Sequence, residues 1–168
     1  MTPKNIDIRP TTPADYPFIL NVNEINVEVL SPMDEDKLKY FNECAELLYT
    51  AFVDGVPAAF IICLREGVES YKSENYIYFS KNYDKFLYID RIVIDEPFRR
   101  MGVGRKLYEF IFDHAKKTDV GYVTAEIDTE PYNEVSLGFH KALGFREVGI
   151  QTVRGGTIKV SLQEAKVK

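Results

Sequence analysis

The sequence of 168 residues lacks several features that mark common classes of protein. It has no window of about 18 apolar residues, so no membrane-spanning helix is expected. Residues 1–5 contain no apolar run that could begin a signal peptide. Basic residues are not in surplus, since 26 acidic and 21 basic side chains give a formal net charge of −5. This balance argues against a nucleic-acid partner or an anionic membrane surface. We expect a cytoplasmic protein.

Cysteine and histidine are also scarce, with two residues of each. Cys44 and Cys63 lie in separate apolar stretches, with no second cysteine or histidine at metal-ligand spacing, so we expect buried thiols and no metal site. Internal repeats, low-complexity tracts and linkers are absent from the printed sequence. With 45% hydrophobic residues, the chain is expected to form a single domain over residues 1–168.

The pattern of apolar residues predicts a mixed α/β sheet. The first helix is predicted from Phe18, Val22, Ile25 and Val29, which form one stripe. An Asp54-Gly55 turn between two β-rich runs predicts a hairpin. The other predicted helices cover residues 34–46, 104–117 and 133–143, and the predicted strands cover residues 5–9, 47–53, 56–64, 86–94, 120–128, 145–152 and 157–162.

Residues 65–85 show no helical or strand period that favours either structure, so we predict a loop. The segment contains Tyr71, Tyr76, Tyr78 and Tyr83. A loop of this length in a compact domain is either functional or mobile.

Residues 99–106 are the segment that best indicates function. The run Arg99-Arg100-Met101-Gly102-Val103-Gly104-Arg105-Lys106 stands between a predicted strand and a predicted helix, and four of its eight residues are cationic. Glycines at such a turn let backbone N–H groups converge on an anion at a helix N-terminus. A phosphate or pyrophosphate is the expected ligand. The alternative is a tight turn followed by a solvated basic helix end.

Other phosphate-binding patterns fit this segment less well. A P-loop needs Gly-x-x-x-x-Gly-Lys-Ser/Thr, and that spacing is absent. A dinucleotide fold needs a third glycine where this chain has Leu107, although Glu126 at the end of the next strand matches a ribose-binding acid. Dinucleotide binding therefore stays open as an alternative.

Two motifs together resemble the GNAT superfamily of acetyl-CoA-dependent N-acetyltransferases. Arg99-x-x-Gly102-x-Gly104 is similar to its pyrophosphate loop. Asn133-x-x-Ser136-x-x-Phe139-His140-x-x-Leu143-Gly144-Phe145 follows in the right order and is similar to its second conserved block. The resemblance implies an α/β (α+β) fold with a central, mixed, mostly antiparallel sheet of about seven strands. It implies four flanking helices and a splayed pair of strands that binds acetyl-CoA.

The resemblance also implies a cofactor site. The strand before the loop would bind the pantetheine arm through its backbone, and a backbone N–H near Val93 or Ile94 would polarise the thioester carbonyl. The implied cofactor-binding residues are Ile92, Val93, Ile94, Arg99, Arg100, Met101, Gly102, Val103, Gly104, Arg105, Asn133, Ser136, Phe139 and His140.

The implied reaction is direct attack of a primary amine on the thioester. The amine must lose a proton to a general base, and the departing thiolate benefits from an acid. Glu126 matches the acid of some family members and is the preferred base. Asp90 is a second candidate, with an ion pair to Arg91 as the alternative. His140 stands where many members have a tyrosine, so we predict it as the general acid or as a hydrogen-bonded structural residue.

The acceptor amine is not specified by either motif. Tyr71, Tyr76, Tyr78 and Tyr83 lie where the family often builds its acceptor pocket, or they cover the sheet edge. The acceptor is expected to be a small molecule, an amino acid or a peptide amine. A homodimer is expected to form through the hairpin of the last two predicted strands, residues 145–152 and 157–162. A CoA-binding sensor or scaffold without chemistry is the alternative function.

Overall fold

A computed structural model describes residues 5–27, 30–130 and 134–168. Its strands are β1 Ile6–Pro10, β2 Leu47–Val53, β3 Val56–Arg65, β4 Leu87–Ile94, β5 Tyr122–Glu130, β6 Phe145–Val153 and β7 Ile158–Lys166. Its α-helices are α1 Tyr16–Ile25, α2 Glu35–Cys44, α3 Glu74–Asn82, α4 Val103–Lys117 and α5 Glu134–Ala142.

The strands form one seven-stranded sheet in the order β1-β2-β3-β4-β5-β7-β6. The pairs β1–β2, β2–β3, β5–β7 and β6–β7 are antiparallel, whereas β4 pairs with β5 in parallel. The predicted mixed, mostly antiparallel sheet is confirmed. The parallel ladder between β4 and β5 joins only Leu87 to Val123 and Tyr88 to Thr124, as expected for a splayed pair.

The chain divides into two compact units. Unit 1 contains Met1–Leu64 and Asp90–Ile111, and unit 2 contains Arg65–Ile89 and Phe112–Lys168. The division falls inside β4, inside α4 and before the last residue of β3, so these three elements contribute residues to both units.

Unit 1 is built around the predicted hairpin of β2 and β3. Asp54 and Gly55 both have positive φ, at 49° and 82°, which is the twist that a two-residue hairpin turn requires. Every residue from Ala58 to Leu64 is fully buried. Helix α1 buries Tyr16, Ile19, Val22 and Asn23. The predicted α1 stripe is wrong at Ile25, which ends the helix and is 64% exposed, while Val29 lies outside the described residues.

Unit 2 contains a helix that the sequence did not predict. Helix α3 lies within residues 65–85, so the described chain has five α-helices rather than four. Ser73 caps the helix by accepting a hydrogen bond from the Tyr76 amide. The buried residues of α3 are Asn75, Tyr76 and Phe79, a short and partly polar set that gives little apolar periodicity.

Two further predictions concern composition. Both cysteines are free; Cys63 is buried as expected, whereas Cys44 is only partly buried. Within the residues that the structure describes, no helix has the length and apolar character needed to cross a membrane.

Candidate functional site

The loop before α4 has the backbone shape of an anion-binding turn. Arg100 has φ 64° and Gly102 has φ 83°, so two residues of the segment are in the left-handed region. The Lys106 amide donates to the Gly102 carbonyl at 3.1 Å, which makes Gly102 the residue that opens the helix. Amides in the first turn of a helix have no carbonyl partner within it. The loop therefore directs backbone donors and the positive end of a 15-residue helix to one place.

The side chains of this loop divide between core and solvent. Val103 is 1% exposed and anchors the helix, whereas Arg99, Arg100, Arg105 and Lys106 are exposed, and Met101 is 40% exposed. Arg99 is held by two acceptors: Nε donates to the Ile94 carbonyl and a terminal nitrogen donates to Asn26 Oδ1, both at 3.2 Å. The turn therefore carries four cations, of which Arg99 is held in place by these hydrogen bonds.

Strand β4 leads into this loop and contains the three residues predicted to contact pantetheine through their backbone. Val93 is buried, while Ile92 and Ile94 are half-buried. The Asp95 amide donates to the Ala58 carbonyl at 2.8 Å and so fixes the end of β4 to β3 within unit 1.

Asp90 takes part in a buried ion pair, the alternative that the sequence left open. Arg91 Nε donates to Asp90 Oδ2 at 2.8 Å, and both side chains are at most 4% exposed. The other guanidinium nitrogens donate to Asn23 Oδ1, to the Ser31 carbonyl and to Ser31 Oγ. This network joins β4 to the end of α1, so its geometry favours a structural role for Asp90.

Glu126 is held by a residue that the sequence did not single out. The Tyr88 hydroxyl donates to Glu126 Oε1 at 2.9 Å. Thr124 is the ladder partner of Tyr88, and Glu126 lies two residues beyond it on the same face of β5. A diagonal contact of this kind is within reach of an aromatic side chain. The sequence contains both residues but not the register that brings them together.

His140 makes a hydrogen bond that fixes its tautomer. Its Nδ1 lies 2.7 Å from the Ser136 carbonyl and 3.3 Å from Ser136 Oγ. Since a carbonyl only accepts, Nδ1 carries the proton and Nε2 is the acceptor in the neutral ring. Burial lowers the pKa of His140, although the bond to Ser136 opposes this shift. A neutral imidazole in this tautomer is poorly suited to donate a proton from Nε2.

The remaining residues of the second motif lie near His140 or outside the described chain. Phe139 lies edge-on to the His140 ring at 5.9 Å, and Phe145 lies 5.2 Å from the same ring. Asn133, predicted to bind pantetheine, is outside the described residues.

Glu126 and His140 lie on opposite faces of the sheet in unit 2. Phe145, which contacts His140, pairs with Ala165, whereas Glu126 pairs with Leu162. Ala165 and Leu162 are three residues apart in an alternating strand and so point to opposite faces. We call the side that carries Thr124, Glu126, Leu162 and Glu164 the α3 face, because Tyr83 at the end of α3 donates to Glu164.

The four predicted substrate tyrosines separate into two groups. Tyr71, Tyr76 and Tyr83 line a cavity of about 540 Å³ in unit 2, whereas Tyr78 donates to the Val148 carbonyl at 3.1 Å. The Tyr76 hydroxyl donates to the Arg65 carbonyl and accepts from the Val68 amide. Burial and the neighbouring Glu164 raise the pKa of Tyr83.

The cavity wall carries more acidic than basic side chains. Glu66, Glu69 and Asp84 line it together with a single cation, Lys72. Glu66 accepts from both Nε and a terminal nitrogen of Arg65, which lowers the pKa of Glu66 despite partial burial. Glu69 and Asp84 are exposed. Among the residues with described positions, no cluster of histidine, cysteine and carboxylate side chains could hold a metal ion.

Comparison with known proteins assigns the fold and the family. The profile of the acetyltransferase (GNAT) family matches residues 16–145. Among curated proteins, no sequence matches this chain. Because the family profile covers most of the chain, the protein belongs to the GNAT acetyltransferase family and is an acyltransferase.

Solved structures of N-acetyltransferases share the fold at low sequence identity. Ard1 from Thermoplasma volcanium aligns with a TM-score of 0.77 at 17% identity, covering 97% of this chain and 98% of that chain. The ribosomal-protein-S18-alanine N-acetyltransferase from Escherichia coli aligns at 0.72 with 18% identity, covering 98% and 95%. Arabidopsis thaliana Naa50, in complex with the bisubstrate analogue CoA-Ac-MVNAL, aligns at 0.72 with 15% identity, covering 95% and 97%.

Proposed function

We propose that the protein transfers an acetyl group from acetyl-CoA to a primary amine of a small molecule, an amino acid or a peptide. The observation that carries this proposal is the loop before α4, in which Arg100 and Gly102 are both left-handed and exposed cations surround the first turn of the helix. Dinucleotide binding, the alternative left by the sequence, is not supported by the family assignment.

The loop fits a pyrophosphate. An added Cβ at Gly102 would meet no atom within 4 Å, so the space above the turn is open, and its positive φ suits glycine. In our proposal the amides of residues 102–105 and the side chains of Arg100 and Arg105 bind the pyrophosphate oxygens. Ile92, Val93 and Ile94 hold the pantetheine arm through their backbone, and Asn133 and Ser136 remain predicted contacts.

Glu126 is proposed as the general base. Acetyl-CoA, when bound, supplies the acetyl group as a thioester. An alkylamine has a pKa of about 10.4, so its nitrogen must lose a proton before or during attack. In the transfer a nitrogen–carbon bond forms, the carbon–sulfur bond breaks, and Glu126 accepts the proton of the amine, directly or through water. The hydrogen bond from Tyr88 favours the ionised carboxylate that this role needs.

The geometry supports Asp90 and His140, the other two predicted catalytic residues, less well than Glu126. The buried ion pair with Arg91 engages Asp90, and the tautomer of His140 does not suit a general acid. We infer that His140 has a structural role, through its hydrogen bond within α5 and its ring contact with Phe145 at the start of β6, and that the thiolate takes its proton from another source.

The cavity beside α3 is the proposed place for the cationic part of the acceptor. Tyrosine rings can contact a substituted ammonium group, and Glu69 and Asp84 supply negative charge. If this is correct, changing Glu69 to Gln and Asp84 to Asn together raises KM for the amine and leaves KM for acetyl-CoA unchanged.

The proposed reaction is tested by the release of free thiol from acetyl-CoA in the presence of a panel of amines and peptides. We expect turnover with at least one primary amine, and a loss of at least about 100-fold in kcat for Glu126→Gln, the lower end of the range for a general base. Calorimetric titration with CoA should give the same affinity for both proteins. Binding of CoA without turnover on any amine would instead favour the sensor or scaffold function.

Two coarser features are proposed with this function. We expect a homodimer through the hairpin of β6 and β7, because β6 is an edge strand of the sheet and Ile150 in it is 57% exposed. Gel filtration with light scattering measures the oligomeric state. A cytoplasmic location is expected from the use of acetyl-CoA and is tested by cell fractionation.

A further inference from the structure

The phenol of Tyr88 is a fully buried group whose hydroxyl reaches the proposed base. Tyr88 is 0% exposed, and its hydroxyl donates to Glu126 Oε1 at 2.9 Å. Its ladder partner is Thr124, so Tyr88 lies in the short stretch where β4 and β5 are paired. Glu126 is two residues further along β5, on the same α3 face.

Helix α3 fixes the orientation of the Tyr88 ring. The Tyr76 ring lies 5.6 Å away at an interplanar angle of 65°, and the Phe79 ring lies 5.7 Å away at 42°. Both residues are on the buried side of α3, at most 2% exposed. Packing on this scale restricts the χ angles of a buried aromatic side chain. The hydroxyl is therefore held at one position relative to β5.

In this contact the Tyr88 hydroxyl is the hydrogen-bond donor and the Glu126 carboxylate is the acceptor. At neutral pH a phenol is protonated and an ionised carboxylate only accepts, so the proton of Tyr88 lies between the two groups. A donor at this position stabilises the charged form of the carboxylate relative to the protonated form. It also restrains the rotation of a side chain that would otherwise sample several rotamers.

We propose that Tyr88 is a positioning residue for acetyl transfer, which keeps Glu126 ionised and oriented near neutral pH. The proposal rests on the proposed function, in which Glu126 is the base. Thr124 offers a matched contrast, because its hydroxyl is buried on the same face and has no hydrogen-bond partner among the described residues. The two residues are partners in the ladder, but only the hydroxyl of Tyr88 donates to Glu126.

The test compares Tyr88→Phe with Thr124→Val by measuring kcat/KM against pH. Loss of the donor in Tyr88→Phe should shift the acidic limb of the kcat/KM profile to a pH about one unit higher. A hydrogen bond to a charged group has this order of effect. Activity should then fall most below neutral pH and recover at higher pH, with KM for acetyl-CoA unchanged. Thr124→Val should leave the limb where it is in the wild type.

An unmoved limb together with a uniformly lower kcat would overturn the proposal and leave Tyr88 as a packing residue. A second readout does not need activity: the ¹³C titration of Glu126, assigned by its loss in Glu126→Gln, should also move upward in Tyr88→Phe. If the titration moves while Glu126→Gln retains full turnover, the positioning contact is real and the proposed base is wrong. If the titration does not move, the contact has no influence on Glu126.

Discussion

At the scale of single residues, Asp90 shows how a candidate catalytic carboxylate can instead serve the core. The Arg91 guanidinium that pairs with it is buried and also donates to Asn23 and Ser31. The Cζ atom of Arg91 also lies 5.5 Å from the centroid of the Phe41 ring. A charge in this position is tolerated because it meets a counter-ion, three further acceptors and an aromatic ring.

Replacing Asp90 with Asn should therefore destabilise the protein. The change leaves the Arg91 charge buried without its counter-ion, which typically costs about 3–5 kcal/mol. Urea denaturation measures the loss. The exposed pair of Arg9 and Asp7 is the control, because Asp7→Asn should cost at most about 1 kcal/mol. A loss below about 1 kcal/mol for Asp90→Asn would contradict the structural role.

His140 should make the stability of the fold depend on pH. Burial lowers its folded-state pKa below the ordinary 6.5, so the unfolded chain binds a proton first as the pH falls. The stability contributed by neutral His140 is present above about pH 6.5 and is lost as the pH falls toward the lowered value.

Denaturation at pH 7.5 and pH 5.5 tests this expectation. The wild type should lose more stability between the two values than His140→Asn, which keeps a donor toward Ser136 but does not titrate. His114→Gln, which removes the other histidine of the chain, serves as the comparison and should behave like the wild type. Equal losses in all three proteins would show that the pKa of His140 is not lowered by folding.

At the scale of elements, the loop before α4 depends on backbone conformation as much as on charge. Gly102→Ala should lower the free energy of unfolding by about 1 kcal/mol or more, because Ala is strained at a positive φ. It should also weaken CoA binding in calorimetry, since the amides of the turn shift. Gly138→Ala in α5 is the control: it has open space and no positive φ, so it should stabilise the helix by about 0.5–1 kcal/mol. Unchanged CoA affinity in Gly102→Ala would exclude this role for the loop.

The elements that were predicted correctly carry strong local signals. The hairpin of β2 and β3 has an Asp-Gly turn between β-rich runs, and α4 begins between Gly102 and Gly104, after a strand. Helix α3 was missed because two of its three buried residues, Asn75 and Tyr76, do not form an apolar stripe. Ile25 was placed in a buried stripe because periodicity does not show where a helix ends.

The same limits apply to the site. The turn before α4, proposed to bind phosphate, is predicted from its residues and their order, because glycine turns and cations are local features. The contact of Tyr88 with Glu126 joins residues that are 38 positions apart. It depends on the register of a parallel ladder two residues long, which no local pattern specifies.

At the scale of the whole molecule, the sequence predicts a single domain, and the structure divides the chain into two compact units. We propose that they fold together, because β4 and α4 each contribute residues to both. Separate unfolding of one unit would require breaking a strand and a helix in their middle.

Thermal unfolding should therefore show one transition. Calorimetry should give equal calorimetric and van't Hoff enthalpies, and far-ultraviolet circular dichroism and tyrosine fluorescence should give the same midpoint. Two separated transitions, or midpoints that differ between the probes, would show that the units are independent domains.

The contact between α3 and the edge strand β6 has a consequence for engineering the proposed acceptor site. An added Cβ at Gly149 would lie 2.6 Å from the Tyr78 hydroxyl, which donates to the neighbouring Val148 carbonyl. The absence of a side chain at Gly149 thus lets Tyr78 of α3 approach the backbone of β6 closely, although the two residues are 71 positions apart in the chain. A library that varies α3 to change amine preference must keep glycine at 149 or vary both positions together.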